Sequence, residues 1–290
     1  MPALIQLSGA IYLVWIWGES LEILLVNDDG YDSELLRSAA VVLQRWGRLT
    51  IVVPAEEQSW KGKSMTRFGK MQVGRVDLAG QQAWTVTGTP ADCTNFAIHN
   101  ICAQRPDVVV SGVNIGTNTG VCFIFSSGTV GACFEANIAG VPALALSQSV
   151  EWPVFEYYRD HRMLPPEIGA RVLPQLEAYL EKAFKLFFSS SGLLEKSLTW
   201  NINFPFVSAP GNPLQRARVG WDRYGRAIFK DGDYCYHKLS SVEHEKGGDV
   251  EEAFLARGIA SVTLLDMGGL GRNSGVEVER LDQELPPVKL

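Results

Sequence analysis

Asn27-Asp28-Asp29-Gly30 sets two adjacent carboxylates at the point where a short apolar run, Ile23-Leu24-Leu25-Val26, stops. Carboxylates side by side repel each other unless a cation joins them, and hard divalent cations take oxygen ligands. Gly30 lets the chain turn so that both can approach one point. An ordinary surface turn uses the same residue types for conformational reasons, so the tetrapeptide alone leaves both readings open.

Ser111-Gly112-Val113-Asn114-Ile115-Gly116-Thr117-Asn118-Thr119-Gly120 follows another apolar run, Val108-Val109-Val110. Small residues let backbone N–H groups approach an anion, and the Asn114 amide oxygen can serve a metal. The glycine spacing is not the dinucleotide fingerprint, and no Walker-type lysine follows. Ser126-Ser127-Gly128-Thr129-Val130-Gly131 opens a helical pattern. A helix N-terminus with free N–H groups and hydroxyls holds anions, although plain Ser or Thr capping uses the same residues. The polar stretch from Pro54 to Thr66 adds Ser59, Ser64, Lys61 and Lys63, in a composition that a solvated loop explains equally well.

The elements that must position these groups are legible around them. Ile23–Val26 and 49–53 read as buried strands separated by a helix that Asp32 or Ser33 can cap. That is a β-α-β unit of a parallel sheet. Further strands are expected over 72–76, 83–86, 108–110, 143–147, 198–204 and 259–265. Helices are expected over 91–102, from 129 to 138, and over 165–188. Strands alternating with helices imply an α/β, doubly wound, mostly parallel three-layer sheet, with a C-terminal extension of hairpins and one last strand. Ligands in such folds sit beyond the carboxyl ends of the strands, where the polar motifs lie.

The chain has 290 residues, 46% hydrophobic and 20% charged, enough for a large core without disulfides or a structural metal. A net charge of −6 argues against a polynucleotide partner, which needs clustered Lys and Arg. The five cysteines form no CxxC pair, and the four histidines show no metal-ligand spacing, so reduced thiols and no zinc are expected. Ile5–Trp17 is apolar but lacks the flanks of a signal peptide and the length of a membrane span, so no membrane partner is expected.

The ordered motifs LLVNDDG, VVPAEEQSWKGKSMT, VTGTPADC, PDVVVSGVNIGTNTG and SSGTVGACFEANIAGVPALALS closely resemble the SurE family of stationary-phase survival proteins. The resemblance is dense over about residues 22 to 150 and thinner through WNINFP and GIASVTLL. It implies a cytoplasmic 5′-nucleotidase that hydrolyses nucleoside monophosphates with one divalent cation per subunit, magnesium or manganese. It also implies a homo-oligomer, a dimer or tetramer, associating through C-terminal elements. The aromatic residues Trp221, Tyr224, Tyr234 and Tyr236 fit such a contact.

By this resemblance the metal ligands are Asp28, Asp29, Ser59 and Asn114. The phosphate and substrate contacts are Asn27, Gly116, Asn118, Ser127, Gly128 and Thr129. The catalytic pair is Asp28 and Asp29, one ligating and the other ligating or handling a proton. This sequence departs from the family pattern at Trp60, where glycine is usual, and at Val121-Cys122, where acidic residues are common. The spacing from Asn114 to the SGTV motif is also one residue longer.

Two other readings compete. A haloacid-dehalogenase-type phosphatase needs aspartates two apart, not adjacent. A regulatory protein can keep the nucleotide and metal site without turnover, and a phosphatase of broader specificity can accept 3′-nucleotides or polyphosphate. The expected organisation is an N-terminal apolar extension over 1–20, outside the catalytic unit, a core over 21–205, and a C-terminal extension over 206–290.

Overall fold

The computed structural model describes residues 20–190, 192–239 and 241–269, together with the backbone of 2–7 and 10–15. In chain order the strands are β1 (Pro2–Leu7), β2 (Ala10–Trp15), β3 (Leu21–Val26), β4 (Gly47–Pro54), β5 (Val73–Leu78), β6 (Gln81–Val86), β7 (Val108–Ile115), β8 (Ala143–Gln148) and β9 (Thr199–Phe204). They continue with β10 (Leu214–Arg216), β11 (Arg223–Tyr224), β12 (Ile228–Asp231), β13 (Tyr234–His237), β14 (Val242–Glu243) and β15 (Ala260–Leu265). The helices are α1 (Glu34–Leu43), α2 (Pro90–Phe96), α3 (Gly120–Ser126), α4 (Gly128–Ile138), α5 (Trp152–His161), α6 (Pro166–Ser189) and α7 (Glu251–Leu255).

One nine-stranded sheet has the order β10-β15-β9-β8-β7-β3-β4-β6-β5. The strands from β9 through β6 run parallel. At one edge β5 returns antiparallel to β6; toward the other, β15 runs antiparallel to β9 and carries the edge strand β10 parallel to it. The sheet is the doubly wound α/β architecture expected from the alternating pattern. The segment after residue 205 extends this sheet through β10 and β15 and adds two small antiparallel pairs, β11 with β14 and β12 with β13.

The alternation of side chains along β3 shows how the layers form. Ile23 and Leu25 face a core built with Leu35, Leu36 and Leu43 of α1 and with Leu176, Leu180 and Phe184 of α6. Leu24 and Val26 face the opposite core, with Cys93 of α2 and Val130, Ala132 and Cys133 of α4. Both faces are covered, so the strand reads as continuous apolar sequence.

Helix starts follow side-chain chemistry. The Ser33 hydroxyl accepts from Leu36 N–H and caps α1. Thr89 and Asp92 form a reciprocal capping box on α2, with Pro90 in its first turn. The helix expected over 91–102 divides into α2 and a wider π turn, Ala97–Ile101. The strand expected over 108–110 runs on to Ile115, carrying Ser111 and Asn114 inside the sheet. Helices α3 and α5 were not anticipated.

Residues 2–7 and 10–15 pair antiparallel with each other, in a sheet separate from the nine-stranded one. The remainder of the expected 1–20 extension, Ser20 apart, and the part of the 206–290 extension beyond Gly269 lie outside the described residues. No single helix among the described residues is long and apolar enough to cross a membrane.

Candidate hydrolytic centre

Asp28 and Asp29 follow the last residue of β3 and are 2% and 1% exposed. Backbone and side-chain donors aim them. The Thr129 hydroxyl donates to Asp28 Oδ1 (2.6 Å), and Thr129 N–H donates to Asp28 Oδ2 (3.0 Å). Ile115 N–H donates to Asp29 Oδ2 (3.2 Å), which ties the second carboxylate to the end of β7. Neither aspartate forms a salt bridge among the described residues.

Burial pushes Asp28 up to about 6, with the Thr129 hydrogen bonds pulling the other way. Burial, and then the neighbouring Asp28 charge, hold Asp29 well above the usual carboxylate range. Two buried carboxylates without a salt bridge among the described residues, Asp29 being eased only weakly by the Arg162 charge, are costly when ionised and are relieved by a bound cation. The donor set therefore fits a hard divalent ion. Asn114 is also buried, and its Nδ2 contacts the Gly116 carbonyl (3.4 Å). Ser59 is partly exposed; its loop reaches the site because Gln58 N–H donates to the Asp28 carbonyl (2.7 Å).

Helix α4 begins directly against Asp28. A Cβ on Gly128 would lie 2.9 Å from Asp28 Cβ and from Asp28 Oδ2, so a side chain there would displace either Asp28 or the helix start. Ser127 caps the helix, its hydroxyl accepting from Val130 N–H (3.1 Å). With Thr129 N–H taken by Asp28, Gly128 N–H is the donor of this first turn without a protein partner among the described residues. It is the group best placed to receive an anion at the positive end of the helix.

The other expected contacts divide. Asn27 is buried and donates to the Gly30 carbonyl (2.7 Å), shaping the turn, while its Oδ1 has no hydrogen-bond partner among the described residues. Gly116 adopts φ +96° at the exit of β7 with no atom within 4 Å of a built Cβ. Thr129 serves Asp28 with both of its donors. Asn118 is turned inward: its Nδ2 donates to Ser147 Oγ (2.8 Å), and its N–H to Asn203 Oδ1 (2.8 Å).

The sequence reading missed the polar network that holds the glycine-rich loop. Asn201 Nδ2 donates to the Asn118 carbonyl (2.7 Å). Glu251 is buried; its Oε2 accepts from Gly120 N–H (2.7 Å), and its Oε1 accepts from Thr263 (2.9 Å) and Asn201 (3.3 Å). Burial pushes Glu251 up to about 7. The signal was present in WNINFP, where two asparagines alternate on one face of a buried strand and must find polar partners.

A second group, Asp222, His244 and Glu252, has ligand atoms within 4.8 Å of one another. Its members already bond within the protein. His244 Nδ1 pairs with Asp222 Oδ2 (2.9 Å), Glu245 N–H donates to Asp222 Oδ1 (2.9 Å), and Thr119 donates to Glu252. The Asp28–Asp29 pair differs in having no salt bridge among the described residues and in standing at the strand ends.

A family profile described as "Survival protein SurE" matches residues 23–229. A relative from Methanosarcina mazei, described as 5′-nucleotidase SurE, is 32% identical, over 89% of this chain and 97% of its own. Another with that description, from Prochlorococcus marinus subsp. pastoris, is 40% identical, over 93% and 91%. The crystal structure of a SurE protein from Aquifex aeolicus shares the fold with a TM-score of 0.68 at 23% identity, over 90% of this chain and 99% of that one.

Proposed function

The chain belongs to the SurE family, and we propose that it is a metal-dependent 5′-nucleotidase that hydrolyses nucleoside monophosphates to nucleoside and phosphate. Its relatives support phosphatase-type hydrolysis as the general activity. The observation that carries the finer reading is the pair of buried carboxylates, Asp28 and Asp29, without a salt bridge among the described residues and abutting the N-terminus of α4.

Asp28, Asp29, Ser59 and Asn114 would hold one divalent cation, magnesium or manganese. When bound, it would polarise a phosphoryl oxygen and make a water more acidic. Thr129 fixes the orientation of Asp28, and Ile115 N–H fixes that of Asp29. With Oδ2 taken by Ile115 N–H, Asp29 Oδ1 would either ligate the cation or accept a proton from the attacking water. Gly128 N–H and the α4 dipole hold the phosphate. Asn27 shapes the carboxylate turn, Gly116 leaves room beside it, and Ser127 holds the helix end in place. Asn118 acts from inside the fold, keeping the glycine-rich loop against β8 and β9.

The test is phosphate release from AMP by chelator-treated protein, with and without added manganese. Release only with metal supports the reading. No release under any condition refutes it in favour of a non-catalytic nucleotide binder. Release from 3′-AMP or polyphosphate at a comparable rate replaces the narrow specificity with a broad one.

Self-association is part of the same proposal. Ile228, Tyr234 and Tyr236 on the β12–β13 pair are exposed, and this pair belongs to no larger sheet among the described residues. Mass in solution above that of one chain is expected, and a monomer at micromolar concentration refutes it. The five free cysteines fit the reducing cytoplasm proposed as its location.

A further inference from the structure

Trp60 stands at the apex of the loop that carries Ser59, and both feet of that loop are tied to the hydrolytic centre. Gln58 N–H donates to the Asp28 carbonyl (2.7 Å), and Gly62 N–H donates to the Ser126 carbonyl (2.9 Å). The apex is thereby fixed to the carboxylate turn on one side and to the start of α4 on the other. Trp60 adopts φ +62°, a left-handed conformation that disfavours large side chains, and it remains 41% exposed. Such a residue persists where its surroundings hold it, and such positions concentrate at functional sites.

Three other rings surround it, each from a different element. Phe123 of α3 lies 6.0 Å away, centroid to centroid, and Tyr224 of β11 lies 5.5 Å away, both edge to face. His237 of β13 lies 4.6 Å away, tilted. Phe123 is one helical turn from the phosphate-binding motif, its carbonyl accepting from Ser127 N–H (2.9 Å). None of the four rings belongs to either core cluster.

We propose that Trp60, Phe123, Tyr224 and His237 form the platform on which the nucleobase of the substrate stacks, giving preference for base-bearing phosphomonoesters over bare sugar phosphates. This rests on Asp28 and Asp29 being the hydrolytic centre. A nucleotide is anionic at one end and flat and apolar at the other. The site shows the same division, with a helix N-terminus and a cation-fitted turn at one end and aromatic rings at the other. Stacking on rings accepts any base, because every base presents a π face. The platform therefore favours nucleotides as a class rather than one base.

The test compares kcat/KM for AMP and for ribose 5-phosphate, which keeps sugar and phosphate but lacks the base. Both are measured with manganese on wild type, Trp60→Ala and Trp60→Phe. The Trp60→Ala variant is expected to lose about ten-fold more on AMP than on ribose 5-phosphate, mainly through KM. Trp60→Phe restores most of that difference, and Tyr224→Ala shifts the ratio the same way by less. Equal losses on both substrates overturn the platform, since that is what a loop-shaping residue gives. No loss on either, or a wild type indifferent to the base, overturns it as well. If wild type hydrolyses neither compound, the hydrolytic reading fails separately. The platform is then decided by calorimetric affinity for the same two compounds, where Trp60→Ala must weaken AMP about ten-fold more than ribose 5-phosphate, and an equal effect overturns it.

Discussion

The strand-end turn around Asp28 and the aromatic rim around Trp60 are joined by one short loop, yet they are built on opposite terms. At the turn every polar atom that matters is buried, and backbone groups of β7 and α4 aim it. At the rim the rings are partly exposed and come from a loop, a short helix and two small strands. Buried charge demands close geometric control, and the sheet and the start of α4 supply it together. Stacking tolerates small displacements, so partly exposed rings on separate elements suffice for it. Substitutions at the turn should therefore act on turnover, and substitutions at the rim on substrate choice.

Asp28→Asn presses hardest on that contrast. It should lower kcat on AMP by at least about 10²-fold, with circular dichroism unchanged, because it removes a charge that only the chemistry needs. Near-normal turnover would dissolve the difference between the regions. Thr129→Val comes next. It deletes the hydroxyl that orients Asp28 and leaves the N–H in place. One charge-assisted bond is worth about ten-fold in rate, visible in kcat rather than KM.

Asn114→Ala should act more gently. The manganese concentration giving half-maximal activity should rise, with kcat recovering at saturation; unchanged metal dependence would make Asn114 a loop-former only. The smallest effect is expected from Glu251→Gln, behind the site. Burial raises the Glu251 carboxyl from 4.5 to about 7 in the folded protein. Its contribution to stability is thus fully present below pH 4.5 and lost as pH rises through about 7. The variant lacks this titration, so its urea midpoint should fall less than that of wild type between pH 4.5 and pH 7.5. Equal falls would show that Glu251 does not titrate in that window.

The turn was legible in the sequence because its requirements are local. A buried strand that ends in Asn-Asp-Asp-Gly states the bend, and Ser127-Gly128-Thr129 states the helix start beside it, while the tetrapeptide alone left the chemistry of its aspartates open between a cation site and an ordinary turn. The sheet was legible for the same reason, since runs such as Val108-Val109-Val110 belong only in a strand covered on both faces. Helix α5 was not, because Trp152–His161 mixes charged and aromatic residues and buries only Val154 and Tyr158. The inward role of Asn118 was hidden because its partners, Ser147, Asn201 and Asn203, lie in later strands brought near by the crossovers. The rim was hidden in the same way. Trp60 stood out as an oddity of one loop, and its companions Phe123, Tyr224 and His237 are neighbours only after folding.

Manganese titration of chelator-treated wild type and Asp28→Asn, followed by calorimetry, tests the centre most directly. A cation held by the strand-end carboxylates requires one saturable site per chain in wild type and its loss, or a large drop in affinity, in the variant. Equal binding by both proteins would contradict it and would move the metal elsewhere, with the Asp222, His244 and Glu252 group as the next candidate.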